Sequence, residues 1–387
     1  MPNQKKQHYV PKFYMKEFSD NEGKFSVFNL DRNQLYKVVP YADQCYKNYY
    51  YGKDGLWENK LGEMETKWAT VFHKLKNEEK VYEEDILLIK QFALYQRQRT
   101  LAEGEYGNEE RKEILKEIVK TYCVKRGWTF GEACEKVCAD LVKREATPIE
   151  NLEISSRMEE MIDDLAVKVI TYETNTQLIS SDVPVIAINP FYKYSIGYGC
   201  MGLILFFPIT VHKLVVIYDK KIYTSNNNEF YNTLSSQEEV KNLNNMQYIS
   251  AEKILFSRRK QELMEYEEIS DNLKDQRVLN RDRGPISTMG PEGHKLIFSY
   301  MRQTFYDCDL SFGKLNREAN KIPFVCREAA PRKWEKGWEQ KLHIKEGIMM
   351  TIYHTDVEAV DRTGFTKKEL RRGYRKMATF ADIYWLH

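Results

Sequence analysis

The spacing of apolar residues changes period more than once along the chain, and each change marks a new kind of element. Phe-Ser-Val-Phe-Asn-Leu at 25–30 alternates apolar and polar, Asp31, Arg32 and Asn33 tolerate a turn, and Gln-Leu-Tyr-Lys-Val-Val at 34–39 returns. That pattern predicts a β-hairpin over Lys24–Val39. From Leu56 to Lys76 the residues Trp57, Leu61, Met64, Trp68, Val71, Phe72 and Leu75 recur at helical spacing and form one stripe. Tyr82–Ala102 repeats that spacing, with Ile86, Leu87, Ile89, Phe92, Ala93 and Tyr95 expected to be buried. Further helices are predicted over 109–125, 129–145 and 149–167, with breaks at Gly127 and Thr147-Pro148. A short helix over Lys12–Phe18 follows Pro11, which pushes Val10 into an extended conformation.

Then the period shortens. Lys168–Glu173, Leu178–Ile188, Gly202–Ile209 and Lys213–Asp219 are short runs rich in β-branched and aromatic residues. The intervals are too short for crossover helices, so an antiparallel sheet is predicted. Helices resume over 236–258 and 260–273. Gly284-Pro285, Gly290-Pro291 and Gly293 punctuate 280–295 as a loop or linker. Its glycine spacing is wrong for a phosphate loop. A helix is predicted over Leu296–Phe305. Near the end, Thr366-Lys-Lys-Glu has the capping-box pattern and opens a basic helix over 366–378. The expected class is α+β: an N-terminal β-hairpin and helical layer, a central antiparallel sheet, and a C-terminal helical extension. The core runs to 279, the loop spans 280–295, and the extension fills 296–387.

Composition narrows the function classes. The chain has 387 residues, 42% hydrophobic, which is ample for a real core. Its 26 tyrosines suit half-buried and recognition surfaces. A net charge of +2 gives no global argument for a nucleic-acid partner, so only local patches could supply one. No apolar stretch approaches ~20 residues, so no membrane span is expected. The N-terminal Met-Pro-Asn-Gln-Lys-Lys-Gln does not read as a signal peptide. Seven scattered cysteines fit free thiols in a reducing cytoplasm.

Candidate chemistry centres on a polar knot, Ser180, Ser181 and Asp182, set inside the apolar run Gln177–Ile188. Such groups are costly without hydrogen-bond partners, and a strand end turned into a cleft would supply them. Gln96 and Arg99 stand one turn apart on a helix face, where the guanidinium could hold a carboxylate or phosphate. Glu58 and Glu65 lie two turns apart on the flank of their helix. His8 precedes the Pro11 corner. In the tail, Lys367, Arg371 and Arg375 form one basic row and Lys368, Arg372 and Lys376 the next, a stripe that could track a phosphate backbone.

At His8-Tyr9-Val10-Pro11, Tyr14 and Phe18 the chain resembles the bacterial family catalogued as domain of unknown function 4238. Glu58, Glu65, Arg99-Thr100, Ser181-Asp182-Val183-Pro184 and Phe207-Pro208-Ile209-Thr210 follow in the order of that family's elements. Met15 stands where leucine is usual, and Leu101 where proline is expected. The resemblance spans residues 7–257 and implies positions, not an activity.

Two functions are expected from these residues. In the first the chain is a metal-dependent nuclease or phosphodiesterase, in a defence or toxin setting. Asp182 and Glu65 would hold Mg²⁺ or Mn²⁺. His8 would be general base or acid, Ser181 and Arg99 would join it, and the basic tail helix would carry the strand. In the second the same cluster is a buried polar network, and the chain is a non-catalytic module that recognises a protein or nucleic acid, with homo-oligomerisation open.

Overall fold

A computed structural model describes residues 5–104, 127, 129, 131–132, 148–190, 198–224, 229–281, 286–289, 295–298, 304, 306, 308–316, 319, 339–344, 348–353 and 383–386. The helices expected over 109–125 and 129–145, and the basic helix over 366–378, fall largely or wholly outside them.

The N-terminal segment forms β1 (Lys6–His8), α1 (Lys12–Lys16), β2 (Lys24–Asn29), β3 (Gln34–Pro40) and β4 (Tyr46–Asn48). β2 and β3 make the predicted hairpin. Asn33, at φ 48, takes the left-handed position of its turn, which asparagine tolerates. β1 pairs with β4, placing His8 opposite Tyr46. Helix α2 (Leu56–Lys76) has the predicted bounds and buries Leu61, Trp68, Val71, Phe72 and Leu75. Helix α3 (Glu83–Gln98) packs beside it and ends at Arg99; Ile89, Phe92, Ala93 and Tyr95 are buried, but Leu87, expected with them, falls on the outer face and is exposed.

The predicted helix over 149–167 stops early. Helix α4 is Pro148–Met158, a 3-10 turn follows to Ile162, and the chain then turns into strand β5 (Ala166–Tyr172). The run Val167-Lys168-Val169-Ile170 fits a pleated surface better than a helix. β6 (Ser180–Ser181), β7 (Ile186–Ile188), β8 (Ile204–Pro208), β9 (Lys213–Tyr218) and β10 (Tyr231–Leu234) follow. The central sheet has the order β10-β5-β9-β8-β7. It is antiparallel except at its edge, where β10 runs parallel to β5.

Residues 178–188 do not form one strand. Residues 186–188 join the central sheet, while Ser180 and Ser181 pair with β11 (Ile254–Ser257) in a second sheet, β3-β2-β11-β6. β11 falls inside the predicted helix over 236–258. That helix, α5 (Gln237–Ser250), ends where Ala251 turns extended at ψ 140. Ile254-Leu255-Phe256 then inserts between β2 and β6 and is fully covered. Helices α6 (Gln261–Met264) and α7 (Asp271–Arg281) take the place of one helix over 260–273. The loop expected over 280–295 contains β12 (Ile286–Met289). The helix expected over Leu296–Phe305 gives way to β13 (Lys295–Phe298). With β14 (Glu339–Ile344), β15 (Ile348–Tyr353) and β16 (Ile383–Leu386) these form an antiparallel sheet, so the described elements of the extension are strands and one 3-10 turn, Ser311–Gly313, in place of the expected helices. The α+β class stands.

Alternation along β5, β8 and β9 sends side chains to two cores. Val167, Val169, Leu205, Phe207, Val215 and Ile217 face α2 and α3, against Trp68, Phe72 and Phe92. Ile170, Tyr172, Phe206, Leu214 and Val216 face α5 and the segment around Leu310 and Phe312.

Candidate functional site

The Ser-Ser-Asp knot is fully buried, and its groups find their partners inside the fold. Ser180 Oγ lies 2.9 Å from the Tyr14 hydroxyl, which donates to the Pro208 carbonyl at 2.7 Å. Ser181 Oγ donates to Gln247 Oε1 at 2.8 Å and accepts the Val183 N–H at 3.1 Å. Gln247 Nε2 in turn donates to the Pro184 carbonyl. Asp182 accepts two backbone N–H groups, from Glu252 at 2.9 Å and Lys253 at 2.8 Å. Burial pushes its carboxyl up to about 6, and those N–H groups oppose the rise. The knot therefore ties β6 to α5 and to the turn that launches β11.

His8 sits at the end of β1. Its Nε2 lies 3.0 Å from the Ala42 carbonyl, a contact that a neutral ring makes by donating from Nε2. Burial lowers its pKa to about 4, and the charges of Lys12, Arg99 and Lys6 act in the same direction. His8 is thus a neutral imidazole at pH 7, which removes it from the pKa range of an efficient general base.

Arg99 closes α3 with no exposed surface. Its Nε donates to the Tyr9 carbonyl at 3.0 Å, and its Nη1 donates to Glu65 Oε1 at 2.9 Å. Nη2 is buried and has no partner. Gln96 Nε2 also donates to the Tyr9 carbonyl, at 3.0 Å, and Gln96 Oε1 is buried without a partner. Tyr51 closes the group by donating to the His8 carbonyl at 3.2 Å. On α2, two turns before Glu65, the half-buried Glu58 is pushed up to about 7. Burial is the main cause, the Glu65 charge adds to it, and Arg99 opposes it. A carboxyl with that affinity can give or take a proton at neutral pH.

The structure therefore brings His8, Glu65 and Arg99 together and adds Glu58. Asp182 faces Tyr9 and Cys45 instead: burial pushes up the Tyr9 phenol and the Cys45 thiol, and the Asp182 charge adds to both shifts. Tyr9 stands between the two groups, with its carbonyl on Arg99. Glu65 is engaged by Arg99 and Asp182 by backbone N–H groups. Among the described residues, no group of three or more His, Cys, Asp or Glu side chains is placed to hold a metal ion. Sequence reasoning assigned Glu58 no role, although its spacing from Glu65 carried the signal. The partners of the Tyr9 carbonyl carried none, because a backbone acceptor has no sequence signature.

Two cavities lie apart from this cluster. One of about 210 Å³ and one of about 570 Å³ both have walls from the segment around Leu310 and the second face of the central sheet.

The family model described as protein of unknown function (DUF4238) matches residues 6–261, which take in every residue of the cluster and of the knot. No curated protein and no solved structure matches the chain. No helix among the described residues is long and apolar enough to cross a membrane.

Proposed function

The chain belongs to the DUF4238 family of proteins of unknown function, and from that premise we propose that it is a hydrolase that cleaves phosphodiesters, most plainly in nucleic acid. The observation that carries this reading is the Arg99 Nη2, a donor fully withdrawn from water and left without a partner beside a pair of glutamates. A guanidinium so held is suited to a phosphoryl oxygen. Glu65 and the Tyr9 carbonyl fix its orientation. Glu58, poised near 7, takes the proton of the attacking water and returns one to the leaving oxygen. Lys12, exposed and near enough for its charge to act on both His8 and Glu58, adds a second cation for the strand. Glu65 is paired with Arg99 and Asp182 with backbone N–H groups, so both carboxylates expected to hold a metal are engaged within the fold, and the step uses none.

The test is incubation of the full chain with end-labelled single- and double-stranded DNA and RNA, with Mg²⁺, Mn²⁺ or a chelator. Cleavage that survives the chelator is expected. Cleavage only with a metal ion would overturn the metal-free site. No cleavage by the folded chain under any condition would overturn the hydrolase. It would favour the second reading, a non-catalytic recognition module, which the internal bonding of Arg99 to Glu65 and Tyr9 also suits.

A further inference from the structure

The larger cavity, about 570 Å³, falls within the roughly 300–1,000 Å³ of small-molecule sites. Its floor is apolar: Ile188, Met246 and Leu310 are buried, and Pro190 joins them. Tyr306 forms a wall, and its hydroxyl donates to Asn242 Oδ1 at 3.3 Å and accepts from Asn245 Nδ2 at 3.0 Å. The segment that carries this wall is fastened to the sheet and its connections. The Thr304 N–H donates to the Ala187 carbonyl at 3.0 Å, the Asn316 N–H donates to that of Ile222 at 2.7 Å, and the Lys314 carbonyl accepts the Thr224 N–H at 3.0 Å. The rim bears both signs of charge. Asp309 and Lys314 line the cavity, are exposed, and have no charged partner among the described residues. Gln276 also lines it. Its amide nitrogen donates to Asn272 Oδ1 at 3.3 Å, while its Oε1 is buried without a hydrogen-bond partner. An unmet acceptor favours a ligand that brings N–H or O–H donors.

We propose that this cavity binds a free amino acid with an apolar side chain, such as phenylalanine or leucine. An anion and a cation on one rim above a hydrocarbon floor match a ligand with both charges at one end and an apolar body. Lys314 takes the carboxylate and Asp309 the ammonium, each a charge-assisted contact. The side chain is buried on Ile188, Met246 and Leu310, and the Tyr306 ring adds contact for an aromatic one. A wholly apolar molecule leaves both rim charges and the Gln276 oxygen unanswered. A charged side chain is desolvated on the floor without a partner. No bond is made or broken, so the site is one of binding and not of catalysis.

The experiment is calorimetric titration of the full chain with phenylalanine and leucine, and with phenethylamine and phenylpropionate, which each lack one of the two charges. Saturable binding of the amino acids is expected, with both analogues several-fold weaker. Lys314→Ala and Asp309→Ala change exposed side chains, so the fold should persist by circular dichroism, and each is expected to weaken phenylalanine binding several-fold. No binding of either amino acid by the folded chain would overturn the proposal. So would an analogue that binds as tightly as phenylalanine, or full affinity in both variants. None of these outcomes depends on the Arg99 cluster, which α2 and α3 hold against the other face of the sheet.

Discussion

Arg99 and Glu65 meet at 2.9 Å, the guanidinium without exposed surface and the carboxylate on the flank of α2. The pair joins the end of one helix to the middle of another, and the Tyr9 carbonyl ties both to the N-terminal strand. Removing the arginine would leave Glu65 near Glu58 with no counter-charge and strip the Tyr9 carbonyl of one of its two donors. Arg99→Met is therefore expected to cost about 3 kcal/mol, set toward the low end for broken buried pairs because Glu65 keeps some exposure. Arg99→Lys should recover little, since one ammonium cannot reproduce the fork that spans Glu65 and Tyr9. Urea unfolding of the two variants checks this. A loss under about 1 kcal/mol, the range of an exposed pair, would contradict it.

Asp182 behaves as a brace. Asp182→Ala removes a buried acceptor from the part-buried Glu252 and Lys253 N–H groups and is expected to destabilise the fold by roughly 1–3 kcal/mol. Asp182→Asn keeps one acceptor oxygen and should lose about half as much. A chain that keeps its full stability with Asp182→Ala would return this residue to the list of candidate catalytic groups.

Glu58 makes stability fall as pH rises. Between pH 4.5 and about 7 the folded chain holds a proton on Glu58 that the unfolded chain has released. Deprotonation in the folded state is thus the unfavourable event, and raising the pH through this window costs stability. Glu58→Gln removes the penalty and is expected to be more stable than the unaltered chain at pH 8, by roughly 1 kcal/mol once the half-exposed position is allowed for. The two should match near pH 4. Denaturant midpoints at both pH values measure it, and equal stability at pH 8 would contradict it.

His8 acts in the opposite sense. It is buried neutral, with its pKa lowered to about 4 from 6.5, so the unfolded chain binds the extra proton between those values. Stability should therefore fall as the pH drops from 6.5 toward 4, by about 2–3 kcal/mol from this group. The imidazole signals of His8 followed by NMR should show no titration between pH 8 and pH 5. A midpoint near 6.5 would show that the ring is solvated.

Much of this was legible in the chain. The stripe from Leu61 to Leu75 gave α2 to the residue, and the alternation of 25–30 gave the hairpin, because in both the apolar period matches one buried face. Arg99, Glu65 and Glu58 could be placed on helix flanks for the same reason. Ile254-Leu255-Phe256 could not be told from a helix tail, since a short run covered on both faces has no period of its own. Ser181 and Asp182 were rightly read as groups needing partners. Those partners are Gln247 and the 252–253 backbone, some 65 residues or more onward, and backbone donors leave no trace in a sequence.

The claim at the centre of this account is that Glu58 and Arg99 act on a phosphodiester while the Ser-Ser-Asp knot only holds the fold. Its most direct test is the single-turnover cleavage rate of a labelled strand by Glu58→Gln at pH 7, with the unaltered chain alongside. A rate lower by about 100-fold or more in a fully folded variant is predicted, the range for loss of a general acid or base. Cleavage by Glu58→Gln at the unaltered rate would contradict it.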